Sequence, residues 1–410
     1  MPVAFILRPV STKKSSRKCT DKRLIESSYG AIENGNGYDC RSIYEYRGIG
    51  AGFNRMATTL VTGVAGFIGM HAADALLSRG DRVLGIDILN DYYDPRLKYA
   101  RLERLSERHG RSFHFERVDF ADRHDLDAVL SAHRFDRILH LGAQAGVRYS
   151  IDNPHAYVQS NLVGHLNLLE IARARRVEHL VYASSSSVYG GNRTFPFRVE
   201  DRVERPLSLY AATKKADELM SESYAHLYRL PQTGLRFFTV YGPWGRPDMV
   251  MWIFTRAILA GEPIALFNHG EMERDFTYVD DIVAGIVAAL DRPPADDGSE
   301  KPGGSIGPHA LYNIGNNRAE PLGRMIDLLE AEIGRPAIRR HLPMQPGDVS
   351  STCAEIAPIQ SQLGFVPRTT IDEGIPKFVR WYREFHGLDD QRGMSPTSSM
   401  ATASPREMVG

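Results

Sequence analysis

A doubly wound α/β fold, a mostly parallel sheet covered by helices on both faces with a smaller C-terminal α/β domain, is what the sequence predicts. Three observations predict it. A glycine-rich turn joins an apolar run to an amphipathic one at Leu60-Val-Thr-Gly-Val-Ala-Gly-Phe-Ile-Gly69. From Thr59 to about Phe237, strand-like and helix-like patterns alternate without an internal repeat. Beyond Gly242 the regularity lapses, Pro and Gly become frequent, and short strands mix with helices.

The chain has 410 residues, enough to bury a large core. Its first 55 residues differ from the rest: Lys13-Lys14, Arg17-Lys18 and Lys22-Arg23 stand among Ser, Gly and Asn with no hydrophobic period. Ala4-Phe5-Ile6-Leu7 is too short for a signal-peptide core, and no run is long enough to span a membrane. Because Met56 immediately precedes the first strand, residues 1–55 are expected to be disordered or to reflect an upstream start, a targeting or regulatory arm being the alternative.

The first unit reads strand, glycine turn, helix, strand, acid. Gly63 allows a tight turn, Gly66 lets the backbone approach a ligand, and Gly69 lets the helix lie close on the sheet. Phe67, Ile68, Ala72, Ala75 and Leu76 fall at helical spacing, so the helix has one buried face and aims its N-terminus at the turn. Free N–H groups and the positive dipole end suit a pyrophosphate there. Asp87 ends the second strand about 20 residues on, where a carboxylate meets ribose hydroxyls. With no arginine in the three residues after Asp87, a dinucleotide without a 2′-phosphate, NAD, is favoured over NADP. Further strands are expected at 113–118, 137–141, 179–183 and 233–237, and helices at 95–108, 124–133, 154–175 and 207–228. After them come helices at 249–260, 282–290, 322–333 and 371–385, a surface loop at 291–308, and a disordered tail at 388–410. The organisation expected is a nucleotide-binding domain over 56–242 and a mainly substrate-binding domain over 243–387.

Formal net charge is zero, with 50 basic and 50 acidic residues, which argues against a nucleic-acid partner. Cys19, Cys40 and Cys353 have unrelated spacings, neither a disulfide framework nor a metal cluster, and fit a reducing, cytoplasmic compartment. His109, His114, His133, His140, His155 and His165 show no ligand spacing, so no metal is expected. Asp280-Asp281 is read as an N-cap with charge favourable to the helix dipole.

Two further stretches carry chemistry. Tyr210-Ala-Ala-Thr-Lys214 starts a helix, so Tyr and Lys share a face. A tyrosine is a poor base at an ordinary pKa of about 10, but a nearby ammonium and a positive nicotinamide ring favour the phenolate. The hydroxyl run Ser184-Ser185-Ser186-Ser187 at a strand end can bond a reacting hydroxyl and relay its proton to Tyr210.

The glycine turn, His140-Leu-Gly-Ala-Gln-Ala-Gly146, Ser186-Ser-Val-Tyr-Gly190 and Tyr210-x-x-x-Lys214 resemble the extended short-chain dehydrogenase/reductases, the Rossmann-type nucleotide-sugar epimerases and dehydratases. The resemblance covers Met56 to about His386. Within it, Asp91-Tyr-Tyr-Asp-Pro-Arg-Leu-Lys98, Gly146-Val-Arg-Tyr-Ser150, Tyr241-Gly-Pro-Trp-Gly-Arg-Pro-Asp-Met249 and Met344-Gln-Pro-Gly-Asp348 are most similar to UDP-glucuronate 4-epimerases. What this implies is a retained NAD, a 4-keto intermediate that turns over in the pocket, and hydride returned to its other face. Tyr210 would take the 4-hydroxyl proton with Ser185 or Ser187, and Lys214 would hold the nicotinamide ribose. Asn90, Asp119, Phe120, Leu141, Ala143, Gln144 and Ala183 would line the dinucleotide with Phe67, Ile68 and Asp87. Asn161 and Arg274 would hold the UDP part, Asp348 the uridine ribose, and Arg246, with Thr239, the uronate carboxylate. One departure stands: where this chain has Gln345, UDP-galactose-type epimerases often carry an arginine, so that diphosphate contact is not carried over. The same residues also suit a UDP-glucose 4-epimerase or a UDP-glucuronate decarboxylase, since oxidation at C4 makes a β-keto acid whose fate depends on carboxylate alignment. A dinucleotide sensor without catalysis is the rival from another class, against which the intact Tyr210, Lys214 and serine run count. The family also implies a homodimer through helices 154–175 and 207–228, and a product used in polysaccharide synthesis.

Overall fold

The computed structural model describes residues 57–345 and 348–388. The N-terminal extension with Cys19 and Cys40, and all of the expected tail but Leu388, lie outside the described residues. From β1 (Thr58–Thr62) the chain runs through α1 (Phe67–Ser78), β2 (Arg82–Asp87), α2 (Arg96–His109), β3 (Phe113–Arg117), α3 (Arg123–Ser131) and β4 (Arg137–His140). Short helices α4 (Tyr149–Asp152) and α5 (Pro154–Tyr157) lead to α6 (Gly164–Arg175), β5 (His179–Ser185), α7 (Leu209–Tyr228) and β6 (Gln232–Phe237).

With β10 (His309–Ile314), these strands form a seven-stranded parallel sheet in the order β10-β6-β5-β4-β1-β2-β3. This is the doubly wound fold expected. Successive side chains of a strand point to opposite faces, and the packing sorts them accordingly. Val61, Leu139, Val181 and Leu235 join one apolar layer with α1, while Leu60, Ile138 and Leu180 join another with Leu126 of α3 and Leu168 of α6.

The remaining elements follow β6 in the chain. They are β7 (Thr239–Tyr241), α8 (Val250–Ala260), β8 (Pro263–Leu266), β9 (Glu273–Tyr278), α9 (Val279–Leu290), β11 (Ala319–Pro321), α10 (Leu322–Ile333), β12 (Ile338–His341), α11 (Ala357–Leu363) and α12 (Ile371–Phe385). β11, β9 and β7 form a small sheet, and β12 pairs with β8. Trp244, Trp252 and Trp381 meet in one aromatic cluster with Phe378, Tyr382 and Phe385. Because β10 returns to the main sheet beside β6, the described residues belong to one compact unit, and we keep the boundary at 242 as a proposed division of roles.

Two local expectations change. The helix expected over 154–175 is interrupted by a π-helical segment at Val158–Val163, where one extra residue per turn swings Asn161 inward. Helix α9 starts at Val279 with Tyr278 as its N-cap residue, so Asp280 and Asp281 occupy the first turn. Their charge still suits the dipole, but the Asp281 carboxylate accepts from the Thr369 N–H at 2.8 Å instead of capping its own helix.

Candidate active site

The strand order reverses around β1 and β4, and the glycine turn lies in the crevice beyond their C-terminal ends, where open α/β sheets take ligands. Gly63 has φ +68°, and a Cβ there would lie 2.6 Å from Gly142 Cα. A Cβ on Gly69 would lie 2.1 Å from the Gly63 carbonyl oxygen, so the helix touches the turn only because both positions are bare. The first turn of α1 holds no acid, and its N-cap, Gly66, has no side chain, leaving the N–H groups of Phe67, Ile68 and Gly69 for an anion.

Asp87 is buried and accepts from Leu89 N–H at 2.8 Å and Ala65 N–H at 3.2 Å. Burial raises its carboxyl pKa, with the Leu89 bond and Lys98 opposing. Each oxygen keeps a lone pair for a ribose hydroxyl. Lys98 clamps Asn90, reaching its carbonyl at 2.7 Å and its Oδ1 at 2.5 Å. Asp119 lines a groove of about 320 Å³ with Ile88, Val118 and Val129. Phe120 turns its ring inward, edge-on to His140 at 5.3 Å and over Gly142 and Gly164. Leu141, Gly142 and Ala143 continue the crevice, and Gly142 N–H is held by Thr62 Oγ1 at 3.0 Å.

Asn161 was expected on the UDP part. Its amide is instead spent beneath the crevice: Oδ1 accepts from Gln144 N–H at 2.9 Å, and Nδ2 donates to Gln144 O at 3.1 Å and Thr213 Oγ1 at 3.0 Å. It fixes the Gln144 backbone against α7 and has no amide hydrogen left for a nucleotide.

Tyr210 lies in the first turn of α7, capped by Ser208 Oγ accepting from Ala211 N–H at 3.1 Å. Its ring stands edge-on to Tyr157 at 6.0 Å. Tyr157 in turn donates to the carbonyls of Ala145 and Gly146 at 3.1 and 2.5 Å. Lys214 is buried one turn on and pairs with Asp217 at 3.1 Å. Burial pushes the Asp217 carboxyl up to about 6, against the pull of Lys214. The serine run passes from the end of β5 into a 3-10 turn at Ser186–Tyr189, with Ser185 Oγ accepting from Ser187 N–H at 3.1 Å. Ser185 and Ala183 lie at the end of β5, next to the crevice strand β4.

A buried network ties these elements together, and sequence reasoning missed it. Arg236 on β6 makes two bonds to Glu218 of α7, at 2.7 and 2.9 Å, and Ser184 donates to the same carboxylate at 2.7 Å. Burial alone would raise Glu218, but Arg236, Lys215 and Ser184 outweigh it and hold it down at about 2.

The far wall is the loop 242–249. Arg246 forms a bidentate pair with Asp248, at 3.0 and 2.5 Å, and Tyr92 donates to Asp248 at 3.1 Å. Burial opposes the Arg246 charge, yet Asp248 outweighs it and keeps the guanidinium above its usual range. Arg246 and Thr239 line a cavity of about 10 Å³ with Phe67, which places the loop against the helix of the glycine turn. At the other end, Asp348 pairs with Arg148 at 3.1 Å, and Arg148 lies over the Phe267 ring at 4.7 Å. Arg274 donates to the carbonyls of Glu273 and Ser350 at 2.8 and 3.2 Å, with Asp348 acting on its charge. Nothing in the stretch Gly146–Ser150 singles out Arg148 for this place; the fold alone brings it to Asp348.

The fold brings ligand atoms of His114, Glu116 and His133, which have no regular spacing in the sequence, within 4.8 Å of one another at the sheet edge. Glu116 bridges the two imidazoles at 2.7 and 3.4 Å, away from the crevice.

Residues 59–315 match the NAD dependent epimerase/dehydratase family. A probable UDP-glucuronate 4-epimerase of Rhizobium meliloti is 46% identical over 329 residues, covering 79% of this chain and 96% of that protein. UDP-glucuronate 4-epimerase 4 of Arabidopsis thaliana is 47% identical over 343 residues, 82% of this chain and 77% of its own. Among solved structures, UDP-glucuronic acid 4-epimerase from Bacillus cereus, in complex with UDP-glucuronic acid and NAD, superposes with a TM-score of 0.72 at 32% identity, covering 80% of this chain and 99% of that one.

Proposed function

The chain belongs to the NAD-dependent epimerase/dehydratase family, and from that premise we propose that it inverts C4 of UDP-glucuronate to give UDP-galacturonate. NAD is the cofactor, and the bare glycine turn, the uncapped start of α1 and the buried Asp87 fit it. Held by the glycine turn, the start of α1 and Asp87, NAD would supply a reversible hydride acceptor for C4, so no external oxidant would be consumed.

The chain's own residues move the proton and hold the sugar. Tyr210 takes the proton from O4 and later gives it back, with Ser185 and Ser187 bonding O4 between the two. Lys214, paired with Asp217 at 3.1 Å, would hold the nicotinamide ribose from the same helix face. Arg274 and Arg148 meet the diphosphate, and Asp348 the uridine ribose.

The observation that carries the substrate is Arg246: a guanidinium on a loop packed against the cofactor helix, already holding one carboxylate, Asp248. A uronate carboxylate at C5 can take the place of Asp248 in that fork, while Tyr92 keeps Asp248 occupied. Holding the carboxylate there keeps its C–C bond out of line with the C4 carbonyl and so protects the β-keto acid from losing CO₂.

Two finer features complete the reading. Leu166 of α6 and Leu219, Leu227 and Tyr228 of α7 are exposed on adjacent helices, and we assign them to a homodimer seam. No described helix is long and apolar enough to cross a membrane, Cys353 is a free thiol, and we place the enzyme in the cytoplasm.

The deciding experiment incubates the purified protein with UDP-glucuronate and no added cofactor, and identifies products by chromatography with mass detection. A product of unchanged mass at the galacturonate position is expected. A product lighter by CO₂ would make it a decarboxylase, and turnover of UDP-glucose alone would remove Arg246 from the substrate site.

A further inference from the structure

Arg101, in the second turn of α2, is fully buried, yet its hydrogen bonds go to carbonyls and a phenol and not to an acid. Nη1 donates to Ala65 O at 2.9 Å and to Tyr93 Oη at 2.7 Å. Nη2 donates to Trp244 O at 2.6 Å and Gly245 O at 3.1 Å. Ala65 lies inside the glycine turn, between Gly63 and Gly66. Trp244 and Gly245 are the two residues before Arg246. One guanidinium therefore spans the cofactor turn on one side and the carboxylate-binding loop on the other.

The loop is also shaped from within and packed by Trp244 against Trp381 and Phe385, but Arg101 is the side chain that joins its carbonyls to the glycine turn. Gly242 has φ +146° and Trp244 φ +62°, a left-handed conformation that a tryptophan adopts only when its surroundings impose it. A tight turn closes with Gly245 N–H donating to Gly242 O at 3.1 Å. The preceding carbonyl, Pro243 O, accepts from His71 Nε2 of α1 at 2.9 Å. Three consecutive carbonyls, those of Pro243, Trp244 and Gly245, are thus gripped by side chains of the two helices that flank the cofactor turn. The planar fork of arginine, with donors pointing two ways, is what makes the span possible; the single ammonium of a lysine cannot serve both sides.

We propose that Arg101 is a positioning residue for substrate selection: it locks the loop carrying Arg246 onto the glycine turn, so that the grip on the sugar carboxylate depends on a seated dinucleotide. This rests on the reading of Arg246 as the carboxylate partner. It adds a residue that touches neither sugar nor cofactor through any reacting atom and acts through the loop alone.

The test is a double-mutant cycle of Arg101→Lys and Arg246→Ala in the NAD-containing enzyme, read as kcat and KM for UDP-glucuronate. Arg101→Lys is expected to raise KM about tenfold with kcat within about threefold, and to change KM less than about twofold once Arg246 is already alanine. An equal KM change in both backgrounds, or none in either, overturns the proposal, because a merely structural role would act independently of Arg246. Should the lysine variant fail to fold, hydrogen exchange of the wild-type enzyme decides. Protection of the amides in 243–249 should fall about tenfold or more when NAD is removed, and unchanged protection overturns the proposal. If the wild type turns over UDP-glucose and not UDP-glucuronate, the substrate reading fails by itself, and the exchange measurement still settles whether the loop is tied to the turn.

Discussion

Tyr210 stands in the first turn of α7 with its ring on Tyr157, and as the proposed base it makes the sharpest prediction at the scale of one residue. Tyr210→Phe should lower kcat by about 10²–10⁴ while leaving NAD bound, as seen by the cofactor released on denaturation; a variant with near-normal turnover would point to another base. Glu218 and Arg236, both about 1% exposed, make a second. Arg236→Met strands the Glu218 carboxylate and should cost about 3–5 kcal/mol in urea unfolding; a loss below about 1 kcal/mol would show that Ser184 and Lys215 suffice. The folded pKa of Glu218 lies near 2, below the ordinary 4.5, so its stabilisation is complete above pH 4.5 and is lost as pH falls towards 2. In Glu218→Gln that part of the acid limb should be missing from a plot of Tm against pH. None of these partnerships shows in local sequence. Arg236 and Glu218 are 18 residues apart, and Arg101 and Trp244 are 143 apart, so no spacing rule links them.

The elements were the most legible part. Helices α10 and α12 fall on the bounds that hydrophobic period alone suggests, and the strands of the first half shift by a residue or two. What period could not show is the π segment, because one inserted residue leaves the apolar pattern of 154–175 almost intact while turning Asn161 by a fraction of a turn. The same helices test the proposed seam. Leu219 and Leu227 are 60% and 62% exposed, an apolar surface that a monomer has little reason to present. Leu219→Glu combined with Leu227→Glu should convert a dimer to a monomer by light scattering with the melting of the fold retained; a wild type already monomeric would dismiss the seam.

Across the whole molecule, the consequential feature is β10, which leaves the C-terminal half and pairs along all of β6. A fragment ending at Gly242 would expose the edge of β6, strand the buried Asn313 contact to Tyr189, and lack the loop that Arg101 holds. It should therefore be poorly soluble and retain no NAD, in contrast to the full chain; a soluble, NAD-loaded fragment would show that the nucleotide-binding half is an independent folding unit.

Sequence by itself determined the class of fold, the dinucleotide turn with its terminal acid, and the pairing of Tyr210 with Lys214 on one helix face. Each rests on local patterns, a turn, a helix face or a succession of strands and helices, which backbone sterics and side-chain period write into the sequence. Only the tertiary structure decided where the charges go. It spends Asn161 on Gln144, sets Asp248 on Arg246 and Arg148 on Asp348, and gathers His114, Glu116 and His133 at a sheet edge. A buried or half-buried charge takes whatever partner the packing of distant segments brings within hydrogen-bond reach, and that choice belongs to the folded chain as a whole.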